Sequence, residues 1–313
     1  MTIDSTIDSI VDSDNKFAKE TRDGLAYLKN LTANLENWTL TEEQDNVKLY
    51  SKKLDDPDAP PLVRGDTVLT DLPPGCTPFE VATVATLPGC RKIWDDRFDQ
   101  AEIKEYYTRF EGLFWVKHKA PWPISPRDFV GTTIRDVDPN VCYTSMISVQ
   151  DDRIPDTPST VRGKIFISGW KVDQQGNNIG ITYVNQVDLA GYIPAAFLRK
   201  LLLQIPLCAG KVRNYIREFG FAPSLNLVSN KVEFKGEDFD HDKRTYNVQL
   251  SGDARDHEVA HITCSSKMYP KGVSVVLTGG KGDVKQNTDA NNNPCITLKN
   301  LVGDVKVAIT KAK

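Results

Sequence analysis

The sequence predicts an α+β domain followed by a small all-β one, and three observations carry that reading. Apolar residues recur at threes and fours near the N-terminus and again over about 194–219. Between those stretches lies a long series of alternating segments separated by turn residues, and beyond Pro223 the helical period disappears. The expected organisation is a disordered tail over 1–13, an α+β domain over 14–222 and a β-rich, sandwich-like domain over 225–313. A chain of 313 residues suits two domains, and 40% apolar with 26% charged content provides for packed cores.

The tail is short, polar and acidic, with little to bury. From Asp14, a candidate N-cap, to Asn37 the positions of Phe17, Leu25, Leu28, Leu31 and Leu35 predict an amphipathic helix. Val47–Ser51 and Leu62–Leu69 alternate as strands. Thr77-Pro78-Phe79 opens a short helix with proline near its first position, and a second helical piece covers about 90–95. Six strands follow, near 98–108, 111–119, 127–136, 141–150, 161–172 and 179–188, spaced as an antiparallel meander. A long helix then runs from Pro194 to Phe219, with Pro206 expected to kink it. In the last ninety or so residues, Thr245–Leu250, Val273–Leu277 and Val305–Ile309 alternate between Gly, Asn and Asp clusters.

Composition excludes several classes. A net charge of −3 gives no broad reason to expect nucleic acid. The N-terminus lacks a signal-like apolar run, and no stretch approaches the ~20 apolar residues that span a bilayer. Six scattered cysteines without a CxxC pair read as buried hydrophobes. The expected setting is cytoplasmic, with peripheral contact at membranes.

Two strings invite an enzymatic reading. His257-Glu258-Val-Ala-His261 matches HExxH, which needs both histidines on one helical face, yet Val259–Cys264 reads as a strand. Gly279-Gly-Lys-Gly282 lacks the spacing and the following helix of a phosphate loop. With no serine-nucleophile signature and four histidines in all, the expectation is no enzyme, no metal and no cofactor.

Five pieces occur in order: Arg91-Lys-Ile-Trp94-Asp95, Phe114-Trp115, Pro121-Trp-Pro with Arg127-Asp128-Phe129, Val161-Arg162-Gly163, and Asp188 to Pro194. Together, over about residues 20–221, they resemble the START lipid-transfer domain family. The resemblance implies a helix-grip fold, a curved antiparallel sheet around a long C-terminal helix, enclosing one lipid as cargo. Within the family the detail is most similar to members that carry phosphatidylcholine. It implies a headgroup site of Arg91, Asp95, Trp115, Phe129, Phe166 and Tyr183: a guanidinium forked on phosphate and aromatic faces around the choline. From spacing alone, Arg91 and Asp95 equally suit an exposed i,i+4 ion pair, and the aromatics equally suit a sheet core. One residue more separates Trp115 from Arg127 than in the family pattern. Phe197, Leu198, Leu201, Leu202 and Ile205 are implied as lid and tunnel, with transient membrane-surface contact while lipid passes. Arg127 and Asp128 are expected to form a structural pair. Sterol or sphingolipid cargo, and a lipid-sensing adaptor whose C-terminal domain binds a protein partner, stay open as alternatives.

Overall fold

The computed structural model describes residues 15–56 and 58–312, with Ala195 and Ala196 described by their backbone alone. The expected tail over 1–13 and the Asp14 cap lie outside the described residues. The elements in chain order are α1 (Ala18–Ala33), β1 (Trp38–Gln44), β2 (Val47–Lys52), β3 (Leu62–Leu69), α2 (Pro78–Thr86) and α3 (Pro88–Trp94). They continue with β4 (Phe98–Thr108), β5 (Glu111–His118), β6 (Arg127–Asp138), β7 (Val141–Ser148), β8 (Val161–Arg162), β9 (Lys164–Gln175) and β10 (Asn178–Asp188). Then follow α4 (Ala195–Gln204), α5 (Cys208–Phe219), β11 (Ser224–Leu227), β12 (Val232–Asp240), β13 (Thr245–Asp253), β14 (Glu258–Thr263), β15 (Val273–Thr288) and β16 (Pro294–Lys311).

Contacts divide the chain into two units: 1–70 with 94–214, and 71–93 with 215–313. The first unit is built on a ten-stranded sheet in the order β1-β2-β3-β10-β9-β7-β6-β5-β4. Its pairs are antiparallel apart from the two-residue β8, which lies parallel to the start of β6. The meander is as the alternation predicts. The run expected over 161–172 divides at Gly163, so that Val161 and Arg162 pair with Arg127 and Asp128 before β9 begins.

Each face of this sheet carries a helix. On the outer face, α1 buries Leu25, Leu28 and Leu31, and Leu28 lies so near Gly169 that a Cβ there would meet its side chain at 2.6 Å. Thr21 on α1 hydrogen-bonds Thr132 at 2.8 Å, and Arg64 donates to the Leu31 and Asn34 carbonyls at the helix's end. On the inner face the C-terminal helical segment passes over β3. A Cβ on Gly65 would stand 2.1 Å from the Pro206 carbonyl oxygen, so only glycine admits that approach. Arg213 on α5 reaches Thr67 Oγ1 at 2.7 Å and the Asp45 and Asn46 carbonyls at 2.7 and 3.0 Å.

Where a kinked helix over 194–219 is expected, two helices stand, with 205–207 as turn between them. Pro206 lacks an N–H, so the hydrogen bonding that would carry α4 into α5 is interrupted there.

In the second unit, Thr77 and Glu80 form a capping box at the start of α2: Phe79 N–H donates to Thr77 Oγ1 at 3.2 Å and Thr77 N–H to Glu80 at 3.0 Å. Burial pushes the Glu80 carboxyl above its ordinary range although Thr77 and the Ser224 hydroxyl, at 2.9 Å, donate to it. The all-β region forms one six-stranded sheet, in which β16 pairs β14 along its first part, β13 along its last, and β15 over most of its length. The region after Pro223 is all-β as the alternation predicts, with its strands hydrogen-bonded around the longest of them. All six cysteines are free, and five are buried.

Candidate functional site

Residues directly opposite one another in an antiparallel ladder share a face, so the register sorts the side chains of the first sheet. One rank runs Gly65, Tyr183, Trp170 and Thr144, and Gly65 marks it as inner. The next runs Val63, Asn185, Ser168 and Met146. On β5 and β6 the inner positions are Phe114, Val116, Phe129 and Gly131, since Thr132, between inner neighbours, touches α1.

This sorting separates the expected headgroup aromatics. Phe129 is inner and buried, packed with Phe98, Phe114, Val116 and Ile165. Tyr183 is inner and half-buried. Trp115 is outer, in a cluster with Leu113, Val130 and Ile154, and its indole N–H donates to Asp128 at 2.8 Å. Phe166 is the extra residue of a bulge: Gln186 pairs Ile167 and Val187 pairs Ile165, leaving Phe166 unmatched. It is 38% exposed with the Lys164 ammonium 4.7 Å from its ring centroid. The four do not converge, and Phe114 holds the inner β5 position expected of Trp115.

Arg91 stands on α3 and falls with the second unit. Asp95, almost fully buried, has Arg97 as its cation within the first unit, with Nε 3.7 Å from Oδ1, and accepts the Arg97 backbone N–H at 3.3 Å. Arg97 also donates from Nη2 to Cys208 Sγ on α5 at 3.4 Å. Burial works against its charge, yet Cys208, Asp95 and the Tyr183 hydroxyl hold it above its ordinary range.

Beside this pair the inner face is aromatic and hydrogen-bonding. Tyr183 stacks on Trp170 with centroids 4.3 Å apart, and Trp94 meets Trp170 edge-on at 5.9 Å. Asn185 Nδ2 donates to the Tyr183 hydroxyl at 3.1 Å, and that hydroxyl lies 2.9 Å from Ser168 Oγ. Buried Thr144 Oγ1, in the same rank, makes no hydrogen bond among the described residues. Sequence reasoning reached Tyr183 and Asp95 and missed Arg97, Trp170, Ser168 and Asn185. The signal available was two polar residues, Ser168 and Asn185, on strands buried on both faces, where each needs a partner or a ligand.

Arg127 and Asp128 are not partners. Arg127 donates to the Leu189, Ala190 and Ser125 carbonyls, tying the loop before β6 to the loop after β10. Asp128 accepts from Trp115, Thr157 and Arg162; despite its burial, those donors, Arg162 foremost, hold its carboxyl below its ordinary range. On the two tied loops stand Trp122, 92% exposed, and Tyr192, 87% exposed. Of the expected lid, Phe197, Leu198, Leu201 and Leu202 are half-buried and Ile205 is buried.

Of the HExxH string, Glu258 to His261 lie on β14 and His257 in the turn before it, with Glu258 bridged to His261 at 2.9 Å and to Lys299 at 2.8 Å. Among the described residues no cluster of three or more His, Cys, Asp or Glu side chains is placed to hold a metal, and no described helix is long and apolar enough to cross a membrane.

A family model described as the START domain matches residues 24–207, more than half of the chain. Two curated proteins named ceramide transfer protein are similar: that of Cricetulus griseus at 23% identity and that of Mus musculus at 26%, each over 202 residues and 58% of this chain. The matches cover 33% and 32% of those relatives, about a third of their length. Among solved structures, human StAR-related lipid transfer protein 5 superposes with a TM-score of 0.57 at 18% identity, covering 64% of this chain and 96% of that one. Human STARD10 gives 0.56 at 16%, covering 63% and 80%. Helix, curved antiparallel sheet and C-terminal helical grip are therefore those of a known fold, and the chain belongs to the START domain family.

Proposed function

We propose that the first unit binds one lipid on the inner face of its sheet and carries it between membranes without chemical change. The cargo is a lipid whose head presents hydroxyl and amide groups, as a ceramide-class sphingolipid does. The observation that carries this reading is the chain Asn185–Tyr183–Ser168 beside the Asp95–Arg97 pair. Such groups donate and accept without net charge, and a head with both capacities satisfies them best. The names of the curated relatives support the same class.

Phosphatidylcholine is the second reading. Its support is the sequence resemblance and inner Phe129, Phe114 and Tyr183 as cation–π faces. Against it, Trp115 faces the other way and Arg97 is already engaged by Asp95.

Loading requires a way in. We take α4, with its half-buried apolar residues, as the movable cover, and Trp122 with Tyr192 as the membrane contact. Native mass spectrometry of the purified chain is expected to show one retained lipid of sphingolipid mass, and labelled ceramide should move between vesicles faster than labelled phosphatidylcholine. The opposite order overturns the cargo assignment; an empty protein that moves neither lipid overturns the carrier.

A further inference from the structure

In the second unit, β15 is an edge strand, with β16 as its sole ladder partner among the described residues. It is 16 residues long, and its two halves differ. From Gly279 onward the register shifts twice, between Gly279 and Lys281 and between Lys281 and Asp283. That half also carries Lys281, Asp283 and Lys285 with three glycines. Bulges, charges and glycines are the devices that keep an edge from pairing with another chain. The first half, Val273–Thr278, has none of them: its register against β16 is unbroken, and it holds neither charge nor proline.

The pattern of this half is self-complementary. Val273, Val275 and Leu277 stand opposite Lys311, Ile309 and Val307 on β16, the last two fully buried. They therefore extend the apolar layer of the sheet, yet at the edge they remain half-buried. Ser274, Val276 and Thr278 point to the exposed face, with Val276 56% exposed. An antiparallel partner must match face to face, so a two-fold axis between identical strands has to pass through a residue. With the axis at Val275, that valine meets its own copy, Val273 meets Leu277, and Ser274 meets Val276. The apolar layer then runs unbroken across the junction, and Lys271 faces the other copy's Gly279, so no like charges oppose.

We propose that the first half of β15 is a self-pairing edge through which two copies of this chain associate, antiparallel, about Val275. Pairing a segment this short falls at the small end of specific interfaces, below roughly 1,200 Å², so the dimer depends on protein concentration.

Sedimentation of the full chain across a wide concentration range is expected to show a weight-average mass rising toward twice that of one chain. The double variant S274K/V276K sets lysine against lysine across the axis while both side chains stay exposed in one copy. It should remain monomeric throughout with unchanged thermal unfolding. In parallel, V275C should cross-link to itself on oxidation with diamide, because paired Cα atoms ~4.5–5.5 Å apart suit a disulfide; V284C, in the bulged half, should not. A chain that stays monomeric at every concentration overturns the proposal. So does a dimer that survives S274K/V276K.

Discussion

Tyr183 and Trp170 stand directly opposite each other on adjacent strands, rings stacked 4.3 Å apart, on the face that the C-terminal helical segment covers. The stack fixes the ring, so the Tyr183 hydroxyl is held between Asn185 and Ser168. Tyr183→Phe keeps the stack and removes the hydroxyl alone. Losing about 1–2 kcal/mol of hydrogen bonding to a bound head should slow ceramide transfer roughly 5- to 30-fold. Thermal unfolding should shift down modestly, because Asn185 and Ser168 lose that partner. Equal transfer by variant and parent in a vesicle assay would place the head elsewhere.

Asp95 and Arg97 are coupled more tightly than exposed pairs. Arg97→Met takes from a buried carboxylate a cation that faces it and should lower stability. The double variant Arg97→Met/Asp95→Leu should recover most of that loss. Denaturant unfolding of the two proteins measures the difference, and equal stability of single and double variants would contradict the pairing.

Exposed Trp122 and Tyr192 should enter a membrane interface together, because Arg127 ties their loops. Trp122→Ala/Tyr192→Ala is expected to weaken vesicle binding by about tenfold or more without altering unfolding. Co-sedimentation with vesicles reads this directly; unchanged binding would remove these loops from the contact.

His241 is buried and accepts or shares the Tyr215 hydroxyl proton at Nδ1, 2.6 Å away. Burial, with Arg244 adding to it, pushes its pKa from 6.5 down to about 4. Between those values the unfolded chain binds a proton that the folded one refuses. Stability therefore falls as pH is lowered from about 6.5 to about 4, by at most ~1.4 kcal/mol per unit. His241→Gln should flatten the melting temperature between pH 7 and 5. The same slope in variant and parent would assign it to other groups.

Much of this fold is legible in the sequence because its strands alternate and its turns are marked. The meander from Phe98 to Asp188 and the all-β character after Pro223 follow from period and punctuation. The site is less legible, for identifiable reasons. Glu111–Val116 is buried residue after residue, so the pleat leaves no sign of which of Phe114 and Trp115 faces inward. The bulge at Phe166 has no glycine to mark it. Arg97 lies just past a four-residue spacing that draws the eye to Arg91, and its link to Cys208 spans more than a hundred positions. Pro206 announces a disturbance, but whether it bends or divides the helix depends on the crossing over Gly65.

The bulge on β9 bears on how such a domain diversifies. With Phe166 deleted, Ile167 would still oppose Gln186 and Ile165 would still oppose Val187. Every other side chain would keep its face. The strand can thus gain or lose one exposed aromatic beside Lys164 by a single-codon step that leaves the lining of the inner face as it was. The exposed aromatic and the inner lining become separately heritable features of one strand, open to drift or selection independently.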